Sequence, residues 1–272
     1  MRIPLLAACC LVMAGCTEMH VTERHFIRPD KAGSVIEKHA IAGATEIEVA
    51  ASEGAMLRGV LLEQPGARST VLYFGGNLFH LDRHGSEVMP VLSRCGANLA
   101  VFDYRGYGRS SGAPTVANMQ ADALALFDAL DARFPGRVIV HGQSLGSFMA
   151  AHVAQSRPVL AAVLETTATS AQELVEANIP WYAAPFVRID LEASLREVDN
   201  RSAATRFRAP TLVIVAGQDR MTPPRLGKKV FAAIQRTDKQ LLLLETATHD
   251  GALRSEEAGA AYCKFVRGVA SS

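Results

Sequence analysis

A serine flanked by glycines lies where one apolar run ends and another begins. Residues 142–146 read Gly-Gln-Ser-Leu-Gly, which fits the pattern G-x-S-x-G around Ser144. The apolar residues 138–140 before it predict a strand, and residues 145–155 after it predict a helix. A tight turn between a strand and a helix exposes the serine hydroxyl near the helix N-terminus, where it can act as a nucleophile. A glycine-rich turn with a solvated serine is the alternative.

A nucleophilic serine needs a base and an acid that orients the base, and two downstream loops offer them. Asp219 follows one apolar run, and His249 lies in the loop after the next run. Loops that leave the carboxyl ends of parallel strands lie at one edge of a sheet, so both side chains can meet Ser144 there. Glu165, which ends an earlier apolar run, is an alternative acid.

Alternating strands and helices would position these loops. The clearest helical pattern covers residues 116–133 and is ended by Pro135 and Gly136. Two leading antiparallel strands, followed by repeated strand–helix units, predict an α/β fold with a mostly parallel central sheet and helices on both faces. The predicted strands are residues 45–49, 57–62, 70–74, 98–102, 137–140, 159–164, 211–215 and 240–244, and the predicted helices are residues 85–95, 116–133, 145–155, 226–235 and 256–269.

The chain resembles the α/β-hydrolases, and in particular the Bem46-like serine hydrolases. The resemblance covers roughly residues 46–268. It is carried by residues 73–77, 102–110 and 164–167, by the turn at Ser144, and by the loops of Asp219 and His249. It implies the α/β-hydrolase fold with a small lid at about residues 166–209. It also implies hydrolysis of an acyl bond with neither a cofactor nor a metal.

The resemblance assigns a role to each residue of the candidate site. Ser144 would be the nucleophile, His249 the general base, and Asp219 the acid that orients the imidazole. The backbone N–H groups of Leu145 and Asn77 would form the oxyanion hole. Two preorganised donors of this kind typically stabilise the transition state by ~3–4 kcal/mol each.

The chain departs from the family beside this oxyanion hole. Members usually have His-Gly where this chain has Gly75 and Gly76, so a side chain that often braces the loop is missing. The glycine pair still permits the tight turn, so Asn77 and Leu145 remain the predicted oxyanion donors. His80 and His84, a few residues further on, are candidates for a substitute brace.

Three polar residues close to the predicted site are expected to be structural. Asp103 and Arg105 follow the end of a predicted strand, and in the family this stretch braces the loop. His141 directly precedes the Ser144 turn and would face its base. A core histidine is therefore expected at that position.

The predicted substrate is a small-molecule ester or another acyl compound. An apolar pocket beside the predicted triad favours carboxylic esters with short to medium acyl groups. A thioesterase, a peptidase and an acyltransferase use the same chemistry and stay open, as does a non-catalytic, lipid-anchored binding or scaffold protein. Trp181 and Tyr182 either line the acyl pocket or pack the lid on the body. The residues expected to make the pocket apolar are Leu78, Phe79, Phe148 and Met221.

The composition excludes several classes of protein. Hydrophobic residues make up 49% of the 272 residues, which is enough for a sizeable core and too many for a mainly disordered chain. A formal net charge of +1 argues against nucleic-acid binding through phosphate contacts. No Cys or His spacing is typical of a zinc site. Five cysteines are too few and too scattered for a disulfide scaffold.

Residues 1–15 resemble a bacterial lipoprotein signal. Arg2 precedes the apolar run 5–14, which is too short to span a bilayer. The small residues Ala14 and Gly15 directly precede Cys16, which would receive the lipid. This pattern predicts membrane anchoring through Cys16 in the bacterial cell envelope, with the outer membrane favoured over the inner membrane. An ordinary secretory signal and a secreted or periplasmic protein are the alternative.

The predicted organisation is a signal peptide at residues 1–15, a tether and N-terminal segment at residues 16–45, and one α/β-hydrolase domain at residues 46–272. Besides Cys16, two cysteines lie outside the signal, Cys95 and Cys263. Whether they pair does not follow from their spacing.

Overall fold

An eight-stranded sheet forms the centre of the structure, which is a computed structural model that describes residues 17–31 and 38–271. The strands are β1 (Thr17–Val21), β2 (Ala44–Ala50), β3 (Met56–Leu62), β4 (Thr70–Phe74), β5 (Asn98–Phe102), β6 (Val138–Gln143), β7 (Ala161–Glu165), β8 (Val187–Leu191), β9 (Thr211–Ala216) and β10 (Lys239–Leu244). The order in the central sheet is β10-β9-β7-β6-β4-β5-β3-β2. Strand β3 runs antiparallel to both of its neighbours, and every other pair in the sheet is parallel.

Helices cover both faces of this sheet. They are α1 (Glu23–Phe26), α2 (Leu81–Ser93), α3 (Val116–Arg133), α4 (Leu145–Ser156), α5 (Ala171–Asn178), α6 (Ala193–Arg196), α7 (Asn200–Ala204), α8 (Pro224–Ala233) and α9 (Glu256–Val269). Helices α3, α4 and α8 contribute to the core on one face, and α2 and α9 contribute to the core on the other. Within the described ranges, no helix is both long and apolar enough to cross a membrane.

The predicted fold class is confirmed: the central sheet is mostly parallel and has helices on both faces. Strands β4, β5, β7 and β9 are buried along their whole length. Complete burial explains why their sequences are continuously apolar, since each strand packs against helices on both sides. The predicted bounds of β4, β5, α3 and α9 agree with the structure residue for residue.

Helix α2 begins earlier than the sequence predicts, at Leu81 instead of Gly85. The carboxylate of Asp103 accepts a hydrogen bond from the backbone N–H of Leu81 at 2.7 Å. It thereby satisfies one of the free donors of the first turn. Because this cap comes from the end of β5, local sequence patterns around residue 81 do not reveal it.

The N-terminal segment differs from the expected tether. Strand β1 pairs in parallel with β8 as a separate two-stranded sheet, with Thr17 opposite Val187. Val21 and Ile27 are buried in the core. The pairing partner lies far along the chain, and β1 has a mostly polar sequence, so its structure has no local signal.

The segment 166–209, which follows β7, contains α5, β8, α6 and α7. Two of its helices begin with side-chain caps: Ser170 accepts from the backbone N–H of Glu173, and Asp199 accepts from that of Ser202. This segment is called the lid below. It leaves the sheet at the carboxyl end of β7, the edge at which Ser144 also lies.

A disulfide joins the two helices on one face of the sheet. Cys95, just after α2, is bonded to Cys263 in α9, and their Cα atoms are 4.6 Å apart. The structure thus supplies the pairing that spacing alone left open. A cross-link over such a long stretch of chain restricts the unfolded state and so stabilises the fold.

A buried ion pair fixes the loop after β5 on helix α3. Arg105 donates from Nε and Nη2 to the two carboxylate oxygens of Asp122, at 2.9 and 2.6 Å. Arg105 is 1% exposed and Asp122 is 5% exposed. The structural role expected for Arg105 fits this arrangement, because the pair holds the chain that follows β5.

Replacing Arg105 by alanine should lower the free energy of unfolding by about 3–5 kcal/mol, because it leaves the Asp122 carboxylate buried without its partner. Chemical denaturation followed by circular dichroism measures this change. The control is Arg157→Ala. Arg157 makes the same two-bond contact with Asp128, but at the surface, where the loss should stay below about 1 kcal/mol. Equal losses of unfolding free energy in the two variants would contradict the role of Arg105 as the buried partner of Asp122.

Candidate active site

The turn between β6 and α4 holds Ser144 in a strained backbone conformation. Its φ is 53° and its ψ is −114°, in a region that side-chain-bearing residues rarely adopt. A Cβ atom on Gly142 would lie 2.1 Å from the carbonyl oxygen of Gly146, and one on Gly146 would lie 2.0 Å from that of Phe74. Both positions flanking the serine therefore require glycine. The G-x-S-x-G pattern follows from this crowding.

Hydrogen bonds to neighbouring elements hold this turn in place. The backbone N–H of Ser144 donates to the carbonyl oxygen of Glu165 at 2.9 Å. The Ser147 hydroxyl donates to the carbonyl oxygen of Ser144 at 2.6 Å. It also lies 2.9 Å from the hydroxyl oxygen of Thr167, which accepts from the side chain of Asn200 in α7. The lid and the Ser144 turn thus share one buried network.

Three side chains from three loops form a continuous chain of hydrogen bonds. His249 Nε2 lies 2.9 Å from Ser144 Oγ, and His249 Nδ1 lies 2.7 Å from Asp219 Oδ2. Asp219 is 5% exposed and His249 is 8% exposed. Solvent therefore reaches this series of hydrogen bonds mainly at Ser144. The loops after β6, β9 and β10 bring together the three residues that the sequence predicts would meet.

Asp219 is held by four donors that fix both of its oxygens. The backbone N–H groups of Met221 and Thr222 donate to Oδ1, each at 2.8 Å. The Thr222 hydroxyl and His249 contact Oδ2. Burial alone would raise the pKa of Asp219, but the hydrogen bonds from His249 and Thr222 outweigh it and hold the pKa below its usual range. Asp219 is therefore ionised at neutral pH.

Thr222 is a site residue that sequence reasoning missed. Its hydroxyl lies 2.5 Å from Asp219 Oδ2, 3.0 Å from the carbonyl oxygen of Thr166, and 3.2 Å from His249 Nδ1. It thereby ties the acid to the end of β7. A hydroxyl three residues after the candidate acid, directly before two prolines, was the available signal.

The other candidate acid has a different partner. Glu165 Oε2 lies 3.0 Å from Nε2 of His141, whose Nδ1 lies 3.2 Å from the Tyr262 hydroxyl. His141 is fully buried and Glu165 is 5% exposed. Of the two candidate acids, Asp219 contacts His249 and Glu165 contacts the core histidine beneath the Ser144 turn.

The loop after β4 approaches Ser144 through its two glycines. A Cβ atom on Gly76 would lie 2.4 Å from the side-chain oxygen of Gln143 and 3.6 Å from the Cβ of Ser144. One on Gly75 would lie 2.2 Å from the ring of Phe79. The Phe79 ring thus fills the space that a side chain at position 75 would need. A side chain at position 75 would therefore require Phe79 to shift.

His80 braces this loop from below. Its Nδ1 lies 2.8 Å from the carbonyl oxygen of Leu78, and its Nε2 lies 2.9 Å from the carboxylate of Asp30. His80 is 4% exposed. His84 accepts from the backbone N–H of His80 at 3.0 Å, and its ring lies 5.7 Å from that of Phe79, centroid to centroid. The partner Asp30 comes from the N-terminal segment, which offered no sequence signal for this role.

Asn77, at the tip of the loop, is held by its side chain. Its Oδ1 accepts from the backbone N–H of Leu78 at 3.1 Å and from the Tyr107 hydroxyl at 3.2 Å. Leu78 has a φ of 67°, so the backbone reverses sharply after Asn77. Asp103 supports the same region, because it accepts from the backbone N–H of Arg109 at 2.8 Å as well as capping α2. Burial raises the pKa of Asp103 to about 6.

A cavity of about 400 Å³ lies beside the Ser144 turn, on the side of α2. Both apolar and polar residues line it, and the polar ones include His84, Glu87 and Arg254. Its lining includes Gly76, Asn77, Gln143, Glu165, Asp250, Leu78, Phe79, Val88, Leu92 and Leu253. Leu78 and Phe79 thus border a cavity next to the site, as the sequence predicts.

The other predicted pocket residues lie elsewhere. Phe148 is buried in the core, and Met221 is 59% exposed. Trp181 is 86% exposed and Tyr182 is 65% exposed. The two lid aromatics therefore neither line an enclosed pocket nor pack the lid on the body. In the part of the chain that the structure describes, no group of three His, Cys, Asp or Glu side chains is arranged to hold a metal ion.

Known proteins share this architecture. The esterase Pf2001 of Pyrococcus furiosus superposes with a TM-score of 0.67 at 18% identity, covering 83% of this chain and 92% of that one. The family model described as serine aminopeptidase, S33, matches residues 65–195, which include the Ser144 turn. This chain has the α/β-hydrolase fold. The chain thus shares its fold with this esterase.

Relatives also match this chain in sequence. An uncharacterised protein of Mycobacterium tuberculosis is 29% identical over 238 residues, which are 85% of this chain and 82% of that protein. The human alpha/beta hydrolase domain-containing protein 17B is 29% identical over 191 residues, which are 68% of this chain and 62% of the human protein. The chain thus spans less than two thirds of the human protein's length.

Proposed function

We propose that this α/β-hydrolase cleaves carboxylic esters with short to medium acyl groups, through a triad of Ser144, His249 and Asp219. The observation that carries the proposal is the continuous hydrogen-bond chain from Ser144 Oγ through His249 to Asp219, with distances of 2.9 and 2.7 Å. A solvated serine in a glycine-rich turn would need neither the buried histidine nor the four donors on Asp219.

In the proposed reaction, His249 Nε2 takes the proton of the Ser144 hydroxyl as the serine oxygen attacks the ester carbonyl. The tetrahedral intermediate then expels the alcohol, which receives that proton from His249, and an acyl-serine remains. Water, activated by the same nitrogen, hydrolyses the acyl-serine and releases the carboxylic acid. Ionised Asp219 keeps the proton on Nδ1, so that Nε2 is free to act as the base.

The backbone N–H groups of Leu145 and Asn77 are the proposed oxyanion donors. Leu145 is the first residue of α4, where the positive end of the helix dipole also favours a developing negative charge. Asn77 lies in the loop that Gly76 brings against Ser144. Because Asn77 Oδ1 is engaged by Leu78 and Tyr107, the tip of this loop is fixed before substrate binds.

The cavity beside Asn77 and Gln143 is the proposed site for one half of the ester. Its volume of about 400 Å³ and its mixture of apolar and polar lining residues suit a small substrate. The loops at residues 73–77 and 102–110 also support a place among the Bem46-like hydrolases. A peptidase is the second candidate, favoured by the description of the matching family model as a serine aminopeptidase.

A substrate panel tests the proposal. The purified protein should hydrolyse p-nitrophenyl acetate and butyrate, and it should act much more slowly on amino-acid p-nitroanilides and acyl thioesters. Faster cleavage of the anilides would make the peptidase the better account. If no acyl substrate is cleaved and no fluorophosphonate probe reacts, the protein is a non-catalytic binding or scaffold protein.

We also propose that the chain is anchored in the bacterial cell envelope by lipid on Cys16, with the outer membrane favoured. Cys16 lies outside the described residues, and the proposal rests on the sequence before it. The disulfide between Cys95 and Cys263 supports an envelope location, because such bonds persist in oxidising compartments and are rare in the cytosol.

Replacing Cys16 by serine should abolish incorporation of labelled palmitate and move the protein out of the membrane fraction. Several acyl chains are needed for stable anchoring, so loss of the attachment site should have a complete effect. Cys10→Ser is the control, since it removes a cysteine of the signal and leaves both Cys16 and the disulfide in place. A Cys16→Ser protein that still carries the label would contradict lipid attachment at this residue.

A further inference from the structure

The large apolar side chains that remain exposed are concentrated at one edge of the molecule. Among the described residues they are Met19, Leu78, Trp181, Tyr182, Phe186, Met221 and Leu241. All but Leu241 lie either on loops at the carboxyl edge of the sheet or on β1, which pairs with the lid. Clustered exposed apolar residues mark a surface that contacts another molecule or a membrane.

The centre of this surface consists of Trp181, Tyr182 and Phe186, called the lid aromatic face below. These side chains are 86%, 65% and 49% exposed. The rings of Trp181 and Tyr182 contact each other edge to face, with their centroids 6.0 Å apart. Tryptophan and tyrosine are the residues that favour the boundary between water and lipid, because each combines an apolar ring with a polar group.

The chain leading to the proposed anchor joins the molecule beside this face. Strands β1 and β8 are parallel and in register, with Thr17 opposite Val187. Cys16 is bonded to Thr17, and Phe186 is bonded to Val187. A lipid on Cys16 would therefore hold the lid, rather than any other part of the hydrolase, against the bilayer.

Two of the exposed apolar residues belong to loops of the site. Leu78, 50% exposed, follows the proposed oxyanion residue Asn77, and Met221, 59% exposed, lies in the loop of Asp219. The lid contacts this loop directly, because the Asn178 side chain donates to the carbonyl oxygen of Met221 at 3.1 Å. A flat surface that meets the lid aromatic face would therefore also lie near the entrance to Ser144.

We propose that the lid aromatic face rests in the interfacial region of the bilayer that carries the Cys16 anchor, and that Ser144 takes its substrates from that bilayer. This inference rests on the proposed ester hydrolysis and adds the substrate class, namely esters whose acyl chain lies in the membrane. Hydrolysis of such an ester consumes one water and releases the alcohol and the free carboxylic acid.

The fluorescence of Trp181 tests the docking directly, because the full chain contains one tryptophan. The lipidated full-length protein is reconstituted in vesicles of phosphatidylethanolamine and phosphatidylglycerol. Its emission should lie at shorter wavelength than that of the same protein without vesicles. Lipids brominated on the acyl chain should quench this emission. Most of the quenching by aqueous iodide should be lost when vesicles are present. Unchanged quenching by iodide, with no effect of bromine, would overturn the proposal.

A matched variant shows whether any quenching is specific to the lid. Trp181→Phe combined with Phe134→Trp moves the reporter to the end of α3, which leads into the amino end of β6 at the opposite edge of the sheet. This tryptophan should not be quenched by brominated lipid. Equal quenching of the two reporters would mean that the anchor alone brings the protein close to lipid. That result would overturn the docking of the lid.

A kinetic comparison separates this inference from the proposed function. Replacing all three residues of the lid aromatic face by serine should lower the ratio of vesicle-borne to soluble ester hydrolysis by about tenfold or more. An unchanged ratio would overturn the inference and leave ester hydrolysis standing.

Conversely, bromine quenching of Trp181 in a protein that cleaves no ester would support docking and reject the proposed function. Dimerisation through the lid without bromine quenching would identify a second copy as the occupant and overturn the inference.

Discussion

Replacing Ser144 by alanine should lower kcat for p-nitrophenyl butyrate by about 10⁶-fold, the loss typical of removing the nucleophile from a complete triad. The hydroxyl is the atom that attacks the carbonyl, and it is the one that lies against His249 Nε2. The oxyanion hole and the substrate pocket would remain, so a small rate above that of water is expected. Steady-state kinetics on purified protein measure the change.

The control for this variant is Ser156→Ala, at the exposed end of the same helix. It should keep wild-type activity. Both variants should have the wild-type circular dichroism spectrum, because the Ser144 hydroxyl contributes no contact to the core. Activity close to wild type in Ser144→Ala would contradict the assignment of the nucleophile.

Replacing Asp219 by asparagine should lower kcat by about 10⁴-fold. An amide in place of the carboxylate can donate to His249 Nδ1, which would place the imidazole proton on Nε2. The wrong nitrogen would then face Ser144, and the developing imidazolium would lose its counter-charge. Because Asp219 also accepts from two backbone N–H groups, the loop after β9 should stay folded in this isosteric variant.

Glu165→Gln is the matched comparison for the acid. The Glu165 carboxylate contacts His141 instead of His249, so the loss of activity should be much smaller than in Asp219→Asn. The glutamine side chain of this variant can keep a hydrogen bond to His141, and the Ser144 turn should remain in place through the backbone carbonyl of residue 165. A greater loss in Glu165→Gln than in Asp219→Asn would move the acid to Glu165.

Local sequence patterns were sufficient to predict the strands of the central sheet and the three side chains that meet beside it, those of Ser144, Asp219 and His249. Buried parallel strands are continuously apolar, and a helix such as α3 carries its own stop signal in Pro135 and Gly136. The Ser144 turn is specified by steric crowding at two glycines that lie close to it in sequence. Features with local causes of this kind are visible without a structure.

The features that sequence reasoning missed depend on contacts between distant parts of the chain. Strand β1 forms only against β8, and the brace of the loop after β4 combines His80 with Asp30. The hydroxyl of Thr222 acquires its role because the ends of β7 and β9 lie side by side. The sequence also did not reveal that Trp181 is exposed, because an aromatic residue in a lid can be either packed or exposed.

The most direct test of the central claim is to react the wild-type protein with a fluorophosphonate probe and map the adduct by mass spectrometry. Such probes bond to a serine only when a neighbouring base and an oxyanion hole activate it. We expect one adduct per chain, on the peptide that contains Ser144, and no adduct in Ser144→Ala. No adduct on folded protein, or an adduct on a different serine, would contradict the assignment of this site.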